Sequence, residues 1–133
     1  KATYFTDSIK PTMSTDNMEI VATPEDGSYG LTGIVTEQVE QKLAKEKFDM
    51  IYTCGPERMI RKVFDHAEKH KVALEASLER LMRCAIGLCG SCTIGKYRVC
   101  KDGPIFTAEQ LREVTGEFGV SKRDFNGQKI PLE

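Results

Sequence analysis

This chain predicts an α/β fold in which a parallel strand–helix sheet is followed by a small cysteine-rich module. Two observations carry that expectation. Over residues 1–78, short apolar segments of strand length alternate with amphipathic helical stretches, the order that gives parallel pairing through crossover helices. After Leu78 the texture changes, and residues 79–133 hold four of the five cysteines. The domain boundary is therefore expected between 78 and 79.

The elements follow in order. Ala2 to about Ile9 reads as a short helix that ends before Pro11, because the residue before a proline leaves helical space. Met18–Thr23 reads as a buried strand, and a glycine-rich turn runs to Gly33. A helix is expected from about Ile34 to Lys47, where Val35, Val39 and Leu43 recur every four residues on one face. Phe48–Thr53 is the second strand. Pro56 then suits a first helical turn, where its missing N–H costs nothing, and Glu57 favours the positive end of the helix dipole. That helix runs to about His70 with Met59, Ile60, Val63, Phe64 and Ala67 as its apolar stripe. Val72–Ser77 is the third strand. Within the cysteine module, Thr93-Ile94 and Tyr97-Arg98-Val99 form a hairpin about Gly95-Lys96, with glycine where a type II′ turn needs it. Thr107-Ala-Glu-Gln110 is a capping box that opens a short helix to about Val114. Phe118–Glu133 reads as a polar tail.

Bulk properties exclude several functions. Nineteen basic residues against 20 acidic ones in 133 give a net charge of −1, without the basic excess of a nucleic-acid binder. No apolar run reaches the length of a membrane span. Four cysteines at ligand-like spacing and a lone Cys54 argue for a reducing cytoplasm over a secreted disulfide scaffold. The chain opens on Lys1 rather than methionine and reads as a piece of a longer protein.

The most informative motif is C-x4-C-x2-C-x7-C, formed by Cys84, Cys89, Cys92 and Cys100. The first three spacings are those of a plant-type 2Fe–2S loop, whereas the fourth ligand of that type lies further along. The Gly95-Lys96 hairpin explains the short final spacing, since it returns Cys100 to the side of Ser91 and Cys92. Ala85, Gly87, Gly90 and Ser91 give the backbone room to wrap a cluster and to aim N–H groups at sulfur. Arg80, Arg83 and Lys101 are expected to offset its negative charge. A structural zinc site and a set of disulfides remain the alternatives, although zinc favours two C-x2-C pairs.

A second motif is Cys54-Gly55-Pro56-Glu57-Arg58-Met59, where a strand leads into a helix. Ligands of open parallel sheets bind at this end, and a helix N-terminus can meet an anion. The bland alternative is a plain turn with a small thiol. Similarly, Glu25-Asp26-Gly27-Ser28-Tyr29-Gly30 is either a nucleotide-contacting loop or a simple turn. His66 and His70 are four apart, but the glutamate between them is misplaced for a zinc-protease motif. They read as a solvated helix edge.

These residues resemble a known family. Cys54-Gly55-Pro56-Glu57-Arg58-Met59 is similar to the C-G-P-x-x-M motif of ferredoxin–NADP reductase-type NAD(P)H-binding domains, and Asp26-Gly27-Ser28-Tyr29-Gly30 with Gly33 is similar to their D-G-S-x-G segment. Ser77 through Phe106 resembles the cluster-binding end of one subgroup. That subgroup comprises the electron-transfer subunits of dihydroorotate dehydrogenase B, the gamma subunits of cytoplasmic hydrogenases and the small subunits of sulfide dehydrogenase or ferredoxin–NADP reductase complexes.

The resemblance implies a relay from NAD(P)H through FAD to a 2Fe–2S cluster and on to a catalytic partner subunit. It implies cofactor contacts at Asp26, Gly27, Ser28, Gly30, Cys54, Gly55, Pro56, Glu57 and Met59. Cys84, Cys89, Cys92 and Cys100 would ligate iron. The flavin-binding barrel and the opening glycine-rich strand–turn of the nicotinamide domain are missing from this sequence. A C-terminal piece with a partial sheet is expected, one that does not hold FAD by itself and whose open edges invite self-association.

Overall fold

The computed structural model describes residues 21, 23 and 33–132. The expected helix over Ala2–Ile9, nearly all of the Met18–Thr23 strand, and the loop bearing Asp26, Gly27, Ser28 and Gly30 lie outside the described residues. Two compact units divide the chain, Lys1–Gln38 and Val39–Glu133. In the first, the Glu37 N–H donates to the Ile34 carbonyl at 3.0 Å, opening helix α1 (Val35–Lys45). The second unit holds the buried core and, among the described residues, every other element.

In that second unit, strand β1 (Met50–Cys54) is followed by helix α2 (Glu57–His70) and strand β2 (Ala73–Ser77). β1 and β2 pair in parallel from Met50↔Ala73 to Cys54↔Ser77. β1 begins two residues later than its apolar run suggested, so Cys54 is the last strand residue. The stripe of α2 is realised: Ile60, Val63, Phe64 and Ala67 are all buried. Pro56 precedes the helix as its N-cap, and Lys71 closes it in left-handed geometry at φ 57° and ψ 39°. On α1, Leu43 is buried and Val39 packs against the same core.

The cysteine module is joined to the sheet instead of being appended to it. Strand β5 (Ile105–Thr107) lies antiparallel along β2, with Ala76↔Phe106 in register. The Leu78 N–H also donates to the Pro104 carbonyl at 2.9 Å. The described sheet is therefore mixed, in the order β1-β2-β5: β1 and β2 pair in parallel as expected, and β5 adds an antiparallel strand. Phe106 is the reason: it is fully buried in the core shared with Leu74, Ala76 and Leu111, and burial of a large aromatic ring outweighs the separateness of its segment.

Between β2 and β5 lies the expected hairpin, β3 (Thr93–Ile94) and β4 (Tyr97–Arg98). Gly95 alone of its two turn residues has positive φ, at 52°, as a type II′ turn requires. Val99 does not extend the strand but opens a single helical turn, α3 (Val99–Asp102). After β5, helix α4 (Ala108–Arg112) starts with both halves of the Thr107–Gln110 capping box formed. The polar tail is a further correction. Strands β6 (Ser121–Arg123) and β7 (Lys129–Pro131) form a second hairpin, its turn tied by the Asp124 carboxylate accepting from the Asn126 and Gln128 N–H groups at 2.8 Å each. Phe118 anchors this end, fully buried and edge-to-face on Phe64 at 5.6 Å.

Candidate functional site

The hairpin and the loop before it bring the four module cysteines together as two pairs. The Cys89 N–H lies 3.4 Å from the Cys84 sulfur, and these two thiols are also hydrogen-bonded neighbours. The Cys100 N–H lies 3.5 Å from the Cys92 sulfur, with a similar thiol–thiol contact. The loop reaches this shape through left-handed backbone at Ala85, Gly87 and Gly90 (φ 56°, 79° and 73°). Among the described residues, no three His, Cys, Asp or Glu side chains close on one point as they would on a single metal ion.

The electrostatics of the loop favour thiolates on one side. Backbone N–H groups of Cys89, Ile86 and Leu88 pull the Cys84 thiol down to about 6. The Ser91 hydroxyl, 3.4 Å away, leads the groups that lower the Cys89 thiol. The Cys100 thiol is raised, first by the Cys92 thiol beside it and then by burial. Preset N–H donors and paired thiols suit a two-iron cluster, in which four thiolates are shared between two irons. A structural zinc ion would gather all four at one centre.

Around the cluster loop, the side chain of Lys101 lies over Gly87, where an added Cβ would come within 2.8 Å of it. Arg83 is exposed. Arg80, expected to offset cluster charge, is instead turned into the interior. Its Nη2 pairs with Glu57 Oε1, and the two side chains are only 3 % and 5 % exposed.

At the carboxyl end of β1, Cys54 presents an exposed thiol. Gly55 follows at φ 146°, a conformation that a side chain at this position would strain, and an added Cβ would meet the Met59 methyl at 2.8 Å. Gly55, Pro56 and Glu57 line a cleft of about 780 Å³, together with Arg58, Arg80 and Phe125. Met59 is not in its wall; the side chain covers Gly55 and packs on the core. His66 sits with Nδ1 3.8 Å from a Glu40 carboxylate oxygen, as a helix-edge residue would.

Two groups escaped the sequence reading. The tail hairpin forms a wall of the cleft through Lys122–Phe125 and Ile130; Asn126-Gly127, a strong hairpin-turn pair, was the signal for it. Arg61 holds the chain before that hairpin, donating from Nη1 to the Thr115 and Phe118 carbonyls at 3.0 and 2.9 Å. No local pattern announces that contact.

Comparison with known proteins identifies both parts. Residues 7–65 match the oxidoreductase NAD-binding domain, and residues 79–112, with all four paired cysteines, match the iron–sulfur cluster binding domain of dihydroorotate dehydrogenase B. Together the two matches give the order of an oxidoreductase NAD-binding domain followed by an iron–sulfur cluster binding domain. Similar proteins carry the name "Probable dihydroorotate dehydrogenase B (NAD(+)), electron transfer subunit". The one from Methanocaldococcus jannaschii is 45% identical over 80% of this chain and 42% of its own length. That from Pyrococcus furiosus is 43% identical over 86% of this chain and 44% of its own. A third, from Pyrococcus horikoshii, is 48% identical over 79% and 40% respectively. The chain thus spans about two-fifths of the length of the curated relatives it matches.

A solved structure shares the fold over most of this chain. It is a chain from the structure of the NADH-dependent reduced ferredoxin–NADP oxidoreductase, described for flavin-based electron bifurcation. It superposes with a TM-score of 0.58 at 29% identity, over 72% of this chain and 37% of that one.

Proposed function

We propose that this chain is the nicotinamide- and cluster-bearing part of an electron-transfer subunit in an NAD(P)H-dependent multisubunit oxidoreductase. Electrons would pass between NAD(P)H, FAD held by the full-length protein, and a 2Fe–2S cluster, and on to a catalytic partner subunit. Among the hydrogenase, ferredoxin–NADP or sulfide dehydrogenase, and dihydroorotate dehydrogenase types, the last is favoured, because relatives 43–48% identical carry that name. The observation that carries the reading is the arrangement of the four thiols as two N–H-bonded pairs within the cluster-domain match.

Cys84 and Cys89 would hold one iron, and Cys92 and Cys100 the other. The cluster, when bound, supplies one-electron chemistry. The chain's own residues prepare its seat. The Cys84 thiol ionises readily because three backbone N–H groups face it, so ligation begins from a thiolate near neutral pH. The N–H groups on sulfur then tune the potential. Cys54, Gly55, Pro56 and Glu57 mark the end of the sheet where the reactive rings of the nucleotide and flavin would meet. Met59 would act indirectly by packing on Gly55, and Asp26, Gly27, Ser28 and Gly30 would form the nucleotide-contacting loop. Neither proton transfer nor covalent catalysis is required of these residues.

The functional division falls at 78/79, although β5 crosses it to join the sheet. Among the described residues no helix is long and apolar enough to cross a membrane. We place the protein in the cytoplasm, where free thiols persist. β1 is an edge of the described sheet, with Tyr52 75 % exposed, and offers a second copy a pairing surface.

Anaerobic reconstitution with iron and sulfide tests the cluster reading. Visible bands between about 400 and 550 nm, with iron and acid-labile sulfide in equal amounts, are expected of a thiolate-bound two-iron centre. Stoichiometric zinc and a colourless protein would sink it.

A further inference from the structure

Glu57 and Arg80 form a buried ion pair between the Cys54-Gly55-Pro56 turn and the entry to the cluster loop. Glu57 opens α2 directly after the Cys54-Gly55-Pro56 turn. Arg80 stands four residues before Cys84, on the entry to the cluster loop. Their side chains are 5 % and 3 % exposed and meet through Glu57 Oε1 and Arg80 Nη2. The same Oε1 accepts the Gly119 N–H at 2.9 Å. One carboxylate oxygen thus ties together the turn, the cluster-loop entry and the segment leading to the tail hairpin. Among the described residues, Arg80 Nε is buried without a hydrogen-bond partner, and Glu57 is the carboxylate that meets the guanidinium.

Burying two charges is costly, and an ion pair in a core is a weak source of stability compared with apolar packing. Its position between the Cys54-Gly55-Pro56 turn and the entry to the cluster loop points to a role beyond holding the fold. We propose that Glu57 and Arg80 form a charge-balanced clamp that positions the cluster loop against the Cys54-Gly55-Pro56 turn and sets the reduction potential of the cluster. The inference rests on the cluster reading of the preceding subsection. Paired, the two residues add no net charge beside the loop. Broken on one side, they leave an unscreened buried charge, and net local charge is one of the levers on cluster potential. Each reduction adds one electron to the cluster and asks no proton of either residue.

The test is an EPR-monitored redox titration of the cluster in the full-length subunit with its partner, alongside a thermal melt. Glu57→Gln keeps an oxygen for the Gly119 N–H and removes the negative charge, so the midpoint is expected to rise. Arg80→Met leaves the carboxylate alone, and the midpoint is expected to fall. The double variant should return toward wild type. A mere brace would move both single variants in the same direction or leave both unmoved, and either result overturns the proposal. Should Arg80→Met fail to fold, Glu57→Gln decides alone: an unshifted or lowered midpoint at near-wild-type melting temperature rejects the clamp. Wild-type protein without a cluster signal would instead refute the cluster reading on which the clamp rests.

Discussion

At Cys84, three backbone N–H groups converge on one half-buried sulfur and bring its thiol down to about 6, while the Cys100 thiol is pushed up by its neighbour Cys92. The thiolate is the reactive form. In cluster-free protein, carboxamidomethylation of Cys84 should therefore be fast at neutral pH and slow down as pH falls through about 6. Cys100 should be modified only at higher pH. Peptide-resolved mass spectrometry across pH 5–9 checks the order; equal rates at Cys84 and Cys100 at pH 7 would contradict it. The candidate ligands themselves were legible from spacing alone, because C-x4-C-x2-C is a local pattern. The nearness of Cys100 to Cys92 also followed from the β3–β4 hairpin, whereas the Cys84–Cys89 contact did not, since it depends on left-handed backbone at Ala85, Gly87 and Gly90. Arg80 illustrates the opposite failure. Its nearness to Cys84 in sequence suggested a charge partner for the cluster, yet its guanidinium found a carboxylate 23 residues earlier.

Among the elements, α2 and α4 followed from their sequences because their signals are short-range. Ile60, Val63, Phe64 and Ala67 fall on one helical face, and Thr107 with Gln110 closes a capping box. The end of α2 holds an improvable position. Lys71 adopts left-handed geometry, with its N–H and that of Val72 capping the Glu68 and Ala67 carbonyls. Lys71→Gly relieves the Cβ strain at this cap and should stabilise the protein by about 0.5–1 kcal/mol. Chemical denaturation would register the gain as a higher midpoint; a lower midpoint would mean that the lysine side chain contributes more than its backbone costs. β5 and the tail hairpin escaped the reading because three-residue strands carry almost no periodicity.

For the molecule as a whole, the last segment of chain determines how the cleft is closed. Gly119, at φ 72°, lies so near α2 that an added Cβ would stand 2.5 Å from the Arg61 Cβ. Gly119→Ala should cost roughly 2 kcal/mol or more through strain and overpacking, detach the tail from α2, and increase hydrogen exchange over 118–132. Unchanged stability would show that this docking is dispensable. The amino-acid sequence by itself determined the α/β class, the alternation β1–α2–β2, the cysteine quartet and the Cys54-Gly55-Pro56 turn. Each depends on neighbours within a few residues, where periodicity, turn chemistry and ligand spacing act. Only the tertiary structure decided that the cysteine module contributes an antiparallel strand to the sheet, that Cys84 closes on Cys89, and that Glu57 answers Arg80. The first and last of those outcomes come from burying Phe106 and Phe118 and from neutralising a buried charge, and the partners that satisfy them are remote in sequence.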